Sequence, residues 1–233
     1  MSIDAEALRA VLDETREQIA EAALRSGRAA DAAELVLAGK YVGAGDVPAL
    51  VAAGVGVIGE NRLQDMQAKR AAPGGDLLVF DFIGHLQSRK VRDVVGAVRL
   101  IESVDRDSVL DAIGARAEGP MRVLLQVNIA EEPTKHGYLP GALDAALERA
   151  AQHSIVVGGL MALPPAAASP EQSRVWFDRV RALRDELKER WAPDHDLGDL
   201  SMGTSQDFVV AVEAGATIVR VGRGIIDRAR MEP

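Results

Sequence analysis

The sequence contains no cysteine, which removes disulfides, thiolate metal sites and cysteine nucleophiles together. It lacks any apolar run approaching the ~20 residues that a membrane-spanning helix needs. Its N-terminus, MSIDAEALRAVLDETREQ, is charged throughout and has no apolar centre of signal-peptide type. Positive charge is in deficit: the net charge is −8. A broad nucleic-acid-binding face is therefore not expected, although that total still allows a local basic pocket. The four histidines, His85, His136, His153 and His195, are scattered, with no HExxH and no i, i+4 pair, and no Walker lysine motif occurs. No metal is expected, although carboxylates from separate loops could assemble a site. Together these absences lead us to expect a cytoplasmic protein without nucleic-acid or membrane partners.

What is present is ordinary for a globular chain: 233 residues, 48% hydrophobic and 27% charged. No interdomain linker or low-complexity tract interrupts it, so residues 1–233 read as one domain. Leu8, Val11, Leu12, Ile19 and Ala23 recur at helical spacing, which predicts an N-terminal amphipathic helix over 4–26, closed near Gly27. Short apolar runs then alternate with helical patterns. The runs fall at 35–39, 55–58, 77–83, 98–104, 121–127, 155–163, 199–202 and 217–222. Between them are helix signals: Asp46 with Pro48, Asn61 with Gln64, Ser88, and Ser169-Pro170-Glu171-Gln172. Behind the last of these, Trp176, Val180, Leu183, Leu187 and Trp191 form one apolar stripe, read as core packing. Continuous rather than alternating apolar strands indicate burial on both faces, as in a parallel sheet. Eight of them in a chain of this length predict a single (β/α)8 barrel with an additional N-terminal helix; an open doubly wound sheet is the competitor. The small-residue stretch 164–170 reads as one strand-to-helix loop. Gly54-Val55-Gly56-Val57-Ile58-Gly59 matches GxGxxG, but it spans a helix stop and a strand rather than opening a helix, and is read as a coincidence.

In such a barrel chemistry gathers at the C-terminal ends of the strands. Those ends carry Lys40, Glu60-Asn61, Gly84-His85, Ser103 with Asp105, Gln126 with Asn128, Met161 to Pro165, Ser201-Met202-Gly203-Thr204-Ser205 and Arg220-Val221-Gly222-Arg223-Gly224. Each has a plain alternative. Lys40 reads equally as a solvated strand terminus or a reactive amine. Asn61 reads also as a helix cap, and His85 as a hydrogen-bonded structural residue. The last two strand ends say more together: hydroxyls and glycines precede the helix predicted over 206–214, whose N-terminus suits an anion. Glycine amides and a guanidinium lie nearby in the VGRG stretch. The alternative there is a capped helix and a tight turn. A phosphate site at one side of the mouth and a lysine at another suggest a phosphorylated aldehyde held as an imine. Burial and nearby positive charge would lower that lysine's pKa and free its amine.

The matching pieces LAGK (37–40), GVGVIGENRLQD (54–65), FIGHLQSRK (82–90), ESVD (102–105), LLQVNIAEEPTKHG (124–137), GLMALPP (159–165), LSMGTSQDF (200–208) and EAGATIVRVG (213–222) resemble the pyridoxal phosphate homeostasis proteins across nearly the whole chain. That resemblance implies a fold-type III barrel related to the N-terminal domain of alanine racemase. It implies pyridoxal 5′-phosphate (PLP) as a Schiff base on Lys40. It implies an arginine, Arg220, near the pyridine nitrogen, favouring the unprotonated ring. Ser201, Gly203, Ser205 and Gly222 would hold the phosphate, Asn61 would line the cofactor face, and Met202 and His85 would shape the pocket. The chain departs from the family in having Arg223 where a small hydroxyl residue usually stands, and Ile225-Ile226-Asp227 where IFG follows. The backbone amide of Arg223 can still face phosphate, and its guanidinium can add a charge-assisted bond.

The resemblance further implies a non-catalytic carrier in cellular PLP homeostasis, with PLP-dependent apoenzymes as recipients. Related racemases carry a second, β-rich domain and dimerise. This chain ends at Pro233, so no such domain is expected, and a monomer is expected with it. Tyr41 and Tyr138 are the only tyrosines, and neither lies in a segment matching a second acid/base. The alternatives are a small racemase-like PLP enzyme and, more weakly, a class I aldolase using Lys40 without cofactor.

Overall fold

The computed structural model describes residues 2–153, 155–165 and 169–230; part of the loop expected over 164–170 lies outside them. Eight parallel strands close into a barrel in sequence order, with the last pairing the first. They are β1 (Glu34–Ala38), β2 (Val57–Glu60), β3 (Val79–Phe82), β4 (Leu100–Val104), β5 (Met121–Val127), β6 (Ile155–Ala162), β7 (Asp199–Ser201) and β8 (Ile218–Val221). The helices are α1 (Ala5–Arg25), α2 (Val47–Ala52), α3 (Leu63–Arg70), α4 (Val91–Val94), α5 (Asp107–Gly114), α6 (Leu143–Gln152), α7 (Arg174–Trp191), α8 (Phe208–Glu213) and α9 (Arg223–Ala229). The expected (β/α)8 barrel with an N-terminal helix is what forms, and the open sheet is excluded by the β1–β8 pairing. Among the described residues no helix is long and apolar enough to cross a membrane.

The continuous apolar runs follow from two buried faces. Val36, Val57, Leu100, Leu124, Met161 and Ile218 fill the barrel interior. Their strand neighbours Leu37, Ile58, Ile101, Val123, Leu125, Leu160 and Val219 face the surrounding helices. Side chains alternate along a strand. Two residues beyond Leu100 and Ile218, the interior face therefore carries Glu102 and Arg220.

Local signals set most boundaries. Asp4 caps α1, accepting from the Ala7 amide at 2.7 Å. Gly54, at φ +78°, closes α2, so the GxGxxG match does straddle a helix stop and a strand. Three helix signals differ from expectation: Asp46 stands at the start of α2 but makes no side-chain cap bond. Asn61 does not cap α3; Arg62 holds that position without a side-chain bond. Ser169 makes no side-chain cap either, and a 3-10 turn over Pro170–Ser173 leads into α7. On α7, Phe177, Val180 and Leu187 are buried, while Trp176, Leu183 and Trp191 pack half-buried against the core.

Candidate functional site

At the end of β1 the lysine is one step past the strand. Gly39–Tyr41 form a single 3-10 turn with exposed Lys40 at its centre. This turn rests on a buried ion pair: Lys69 Nζ lies 2.6 Å from Glu60 Oε1 and donates to the Gly39 carbonyl at 3.0 Å. Position 39 is a glycine because a Cβ there would run into the Glu60 carboxylate. Burial pushes the Glu60 carboxyl above its ordinary value, with Lys69 pulling it back only in part.

Lys40 makes no ion pair among the described residues; its Nζ sits 4.9 Å over the Tyr41 ring. The Arg223 guanidinium approaches the same ring at 5.6 Å. Gly222 lies against it too, since a Cβ there would be 2.8 Å from Tyr41 Cδ2. Tyr41 thus joins the end of β1 to the end of β8. Burial acts to raise its phenol pKa, but the two cations outweigh that and the net direction is down.

The anion-directed part of the mouth lies after β8. The amides of Gly222 and Gly224 both point at Ser205 Oγ, at 3.3 and 3.4 Å. The start of α8 is less suited to an anion than the sequence suggests. The helix begins at Phe208, two residues later than expected, and the Asp207 carboxylate covers the Thr204 amide at 2.8 Å. Gly203 is required by its backbone: its φ is +94°, and a Cβ would sit 2.5 Å from Ala211 Cβ. Gly203→Ala is expected to destabilise the protein by about 1–3 kcal/mol, read as a lower urea midpoint with an unchanged m-value.

Beneath this loop the interior face is polar. Ser201 donates to Glu102 Oε2 at 2.5 Å and accepts from Arg220. Arg220 also donates to the Ala162 carbonyl at 3.0 Å, and its guanidinium lies 3.7 Å from Glu102. Met202, the next residue after Ser201, is fully buried in the outer apolar cluster. Burial pushes the Glu102 carboxyl up to about 7 against the pull of Arg220. Burial likewise lowers Arg220. We take burial as decisive for both, because the guanidinium is turned onto Ser201 and Ala162 rather than squarely onto the carboxylate. A carboxyl that keeps its proton better folded than unfolded makes stability fall as pH rises from the ordinary value of 4.5 to about 7. Glu102→Gln is therefore expected to flatten the decline of unfolding free energy over that window by roughly 2–3 kcal/mol, measured by urea titration at several pH values.

The opposite side of the mouth is built by the loops after β3, β4 and β5. His85 Nδ1 lies 2.8 Å from Asp105 Oδ2, and His136 Nδ1 lies 3.7 Å from the same oxygen. Asn61, after β2, has a buried Oδ1 without a hydrogen-bond partner among the described residues.

No family model matches the chain. A pyridoxal phosphate homeostasis protein of Aquifex aeolicus is 40% identical over 215 residues, covering 91% of this chain and 93% of its own. The chain belongs to the pyridoxal phosphate homeostasis protein family. A member from Deinococcus radiodurans is 35% identical over 222 residues, covering 89% and 95% of the two chains. Among solved structures, PipY of Synechococcus elongatus with PLP bound is 31% identical, with a TM-score of 0.74 over 89% of this chain and 99% of its own. A lysine/ornithine decarboxylase of Vibrio vulnificus, 16% identical with a TM-score of 0.66, shares the fold over 96% of this chain and 62% of its own.

For this member of the pyridoxal phosphate homeostasis protein family, the structure gathers Lys40, Arg223, Gly222 and Ser205 at the β1–β8 side. Ser201 and Arg220 lie deeper, in the interior, whereas Met202, expected to shape the pocket, belongs to the apolar cluster between barrel and helices, because side chains alternate along the chain there. His85 stands with Asp105 and His136 in a separate cluster. Sequence reading missed three participants: Tyr41, Glu102 and Lys69. Tyr41 directly follows Lys40, and Glu102 breaks an apolar strand, so both left a local signal. Lys69 left none, because it is a lysine on a helix that happens to face inward.

Proposed function

We propose that this chain binds PLP at the barrel mouth, anchors it through Lys40, and serves PLP homeostasis without turning over amino acids. The observation that carries this reading is Tyr41, whose ring is touched by the Lys40 amine, by Arg223 and by Gly222. The amine at the start of the barrel and the amide-lined loop at its end thereby share one small region. The residues present fit such a group: a reachable amine, converging amides, and the buried Asn61 Oδ1, which has no hydrogen-bond partner among the described residues.

When bound, the cofactor supplies an aldehyde that an amine can attack. Lys40 would provide that amine, reachable because the side chain is exposed at the mouth. The amides of Gly222 and Gly224, with Ser205, would bind the phosphate. Arg220, two of whose nitrogens are engaged by Ser201 and Ala162, would keep the ring side of the site cationic. PipY, with PLP bound, and the names of the curated relatives support the cofactor's identity.

Absence of turnover is supported by the two tyrosines. Tyr138 donates to Asp107 at 3.1 Å, and burial, with Asp107, raises its pKa, so it keeps its proton. Tyr41 lies against Lys40 itself. Neither offers a base separate from the lysine, as two-base racemisation needs. Borohydride reduction of the PLP-loaded protein and peptide mapping should place the phosphopyridoxyl mass on Lys40; an adduct confined to other lysines overturns the anchor. Alanine in heavy water should gain no Cα deuterium beyond a free-PLP control. Sustained racemisation that disappears in Lys40→Ala would refute the carrier reading.

A further inference from the structure

We infer that His85, Asp105 and His136 form a binding site for one divalent transition-metal cation of the zinc, cobalt or nickel type. The three residues come from the loops after β3, β4 and β5. Three ligand atoms, one ring nitrogen of each histidine and one carboxylate oxygen of Asp105, lie within 4.8 Å of one another. Two of the spacings are 2.8 and 3.7 Å. A tetrahedral ion with bonds of about 2.05 Å spaces its ligand atoms about 3.3 Å apart, so changes in spacing of at most about 1.5 Å complete the set.

The side chains are prepared unequally. Asp105 is only 2% exposed, and its other oxygen, Oδ1, is held by Arg106, which is anchored in turn on the Leu86 carbonyl at 2.8 Å. A carboxylate oriented from behind in this way presents its free oxygen to a cation. The two imidazoles are exposed and stack at 4.3 Å between centroids, leaving the remaining coordination positions to water. Two imidazoles and one carboxylate suit borderline cations rather than calcium or magnesium, which take oxygen ligands. Arg106 also approaches His85 Nε2 at 3.5 Å; metal on Nδ1 puts a proton on Nε2, so that contact opens on binding. The alternative is a plain His85–Asp105 hydrogen bond with His136 stacked above it. The site does not involve Lys40 or the loops after β7 and β8, so it stands or falls apart from the cofactor proposal.

The test is titration of the untagged full chain, treated with chelator, with zinc chloride by calorimetry and with cobalt chloride by visible absorption between 500 and 650 nm. One zinc per chain and a cobalt d–d band of tetrahedral intensity are expected. His136→Ala, at an exposed position that should not disturb folding, should weaken zinc binding at least tenfold and abolish the band. His85→Ala should do the same, while His153→Ala, at a distant histidine, should leave both unchanged. Absence of saturable binding overturns the site. So does one-to-one binding that survives His136→Ala and His85→Ala, which would place the ion elsewhere.

Discussion

Replacing Lys40 by alanine should abolish the borohydride-trapped adduct and weaken PLP binding by roughly a hundredfold, equivalent to about 3 kcal/mol. On the proposed anchoring, the amine would contribute a covalent bond, whereas the glycine amides, Ser205 and Arg220 would contribute only non-covalent contacts. Lys40 is exposed and makes no ion pair among the described residues, so the same substitution should shift the urea midpoint very little. Lys40→Arg is the informative companion. It keeps a cation beside the Tyr41 ring but offers no free amine at neutral pH, and it should fail to form the adduct while retaining measurable PLP affinity. Equal PLP affinity in wild type and Lys40→Ala would mean that Lys40 is not the anchor.

The second large effect concerns Lys69. Lys69→Met should destabilise the fold by about 3–5 kcal/mol at pH 8, because it leaves the Glu60 carboxylate buried without its counter-charge. Both partners are essentially inaccessible, at 2% and 0% exposure, so water cannot compensate. The loss should shrink as pH falls, because burial raises the Glu60 carboxyl above its ordinary value and its protonation removes the unpaired charge. A Glu60→Gln/Lys69→Met double variant should recover at least half of the loss at pH 8, as expected when a buried pair is replaced by uncharged groups of similar size. Because Lys69 also holds the Gly39 carbonyl, the single variant should loosen the Lys40 turn and lower adduct yield. Unchanged stability in Lys69→Met at pH 8 would show that the pair does not stabilise the fold.

The pattern of legible and illegible features follows from range. The eight strands were readable because burial on both faces writes an uninterrupted apolar run into five or so adjacent residues, and β5 falls over 121–127 as expected. Ends were less certain: β2 starts at Val57 rather than Val55, because Gly54 and its neighbours turn the chain first. Asn61 reads as a cap by spacing, yet Arg62 takes that position and Asn61 Oδ1 is buried. A cap depends on where the backbone turns, and that turn is set by packing of Gly84 against the Asn61 backbone.

The sequence by itself determined the order of strands and helices, their parallel α/β class, Lys40 at a strand end and the family, because periodicity, glycine position and ordered motifs are local properties of the chain. Closure of the barrel against the open sheet was decided by the long-range β1–β8 pairing. Only the tertiary structure decided the partners: Ser201 turned inward to Glu102 and Arg220, Tyr41 bridging β1 to β8, Lys69 beneath Gly39, and two histidines sharing Asp105. Each of these contacts joins residues from different strand ends or helices. They exist only once barrel closure and strand register have fixed which side chains point inward and which loops meet.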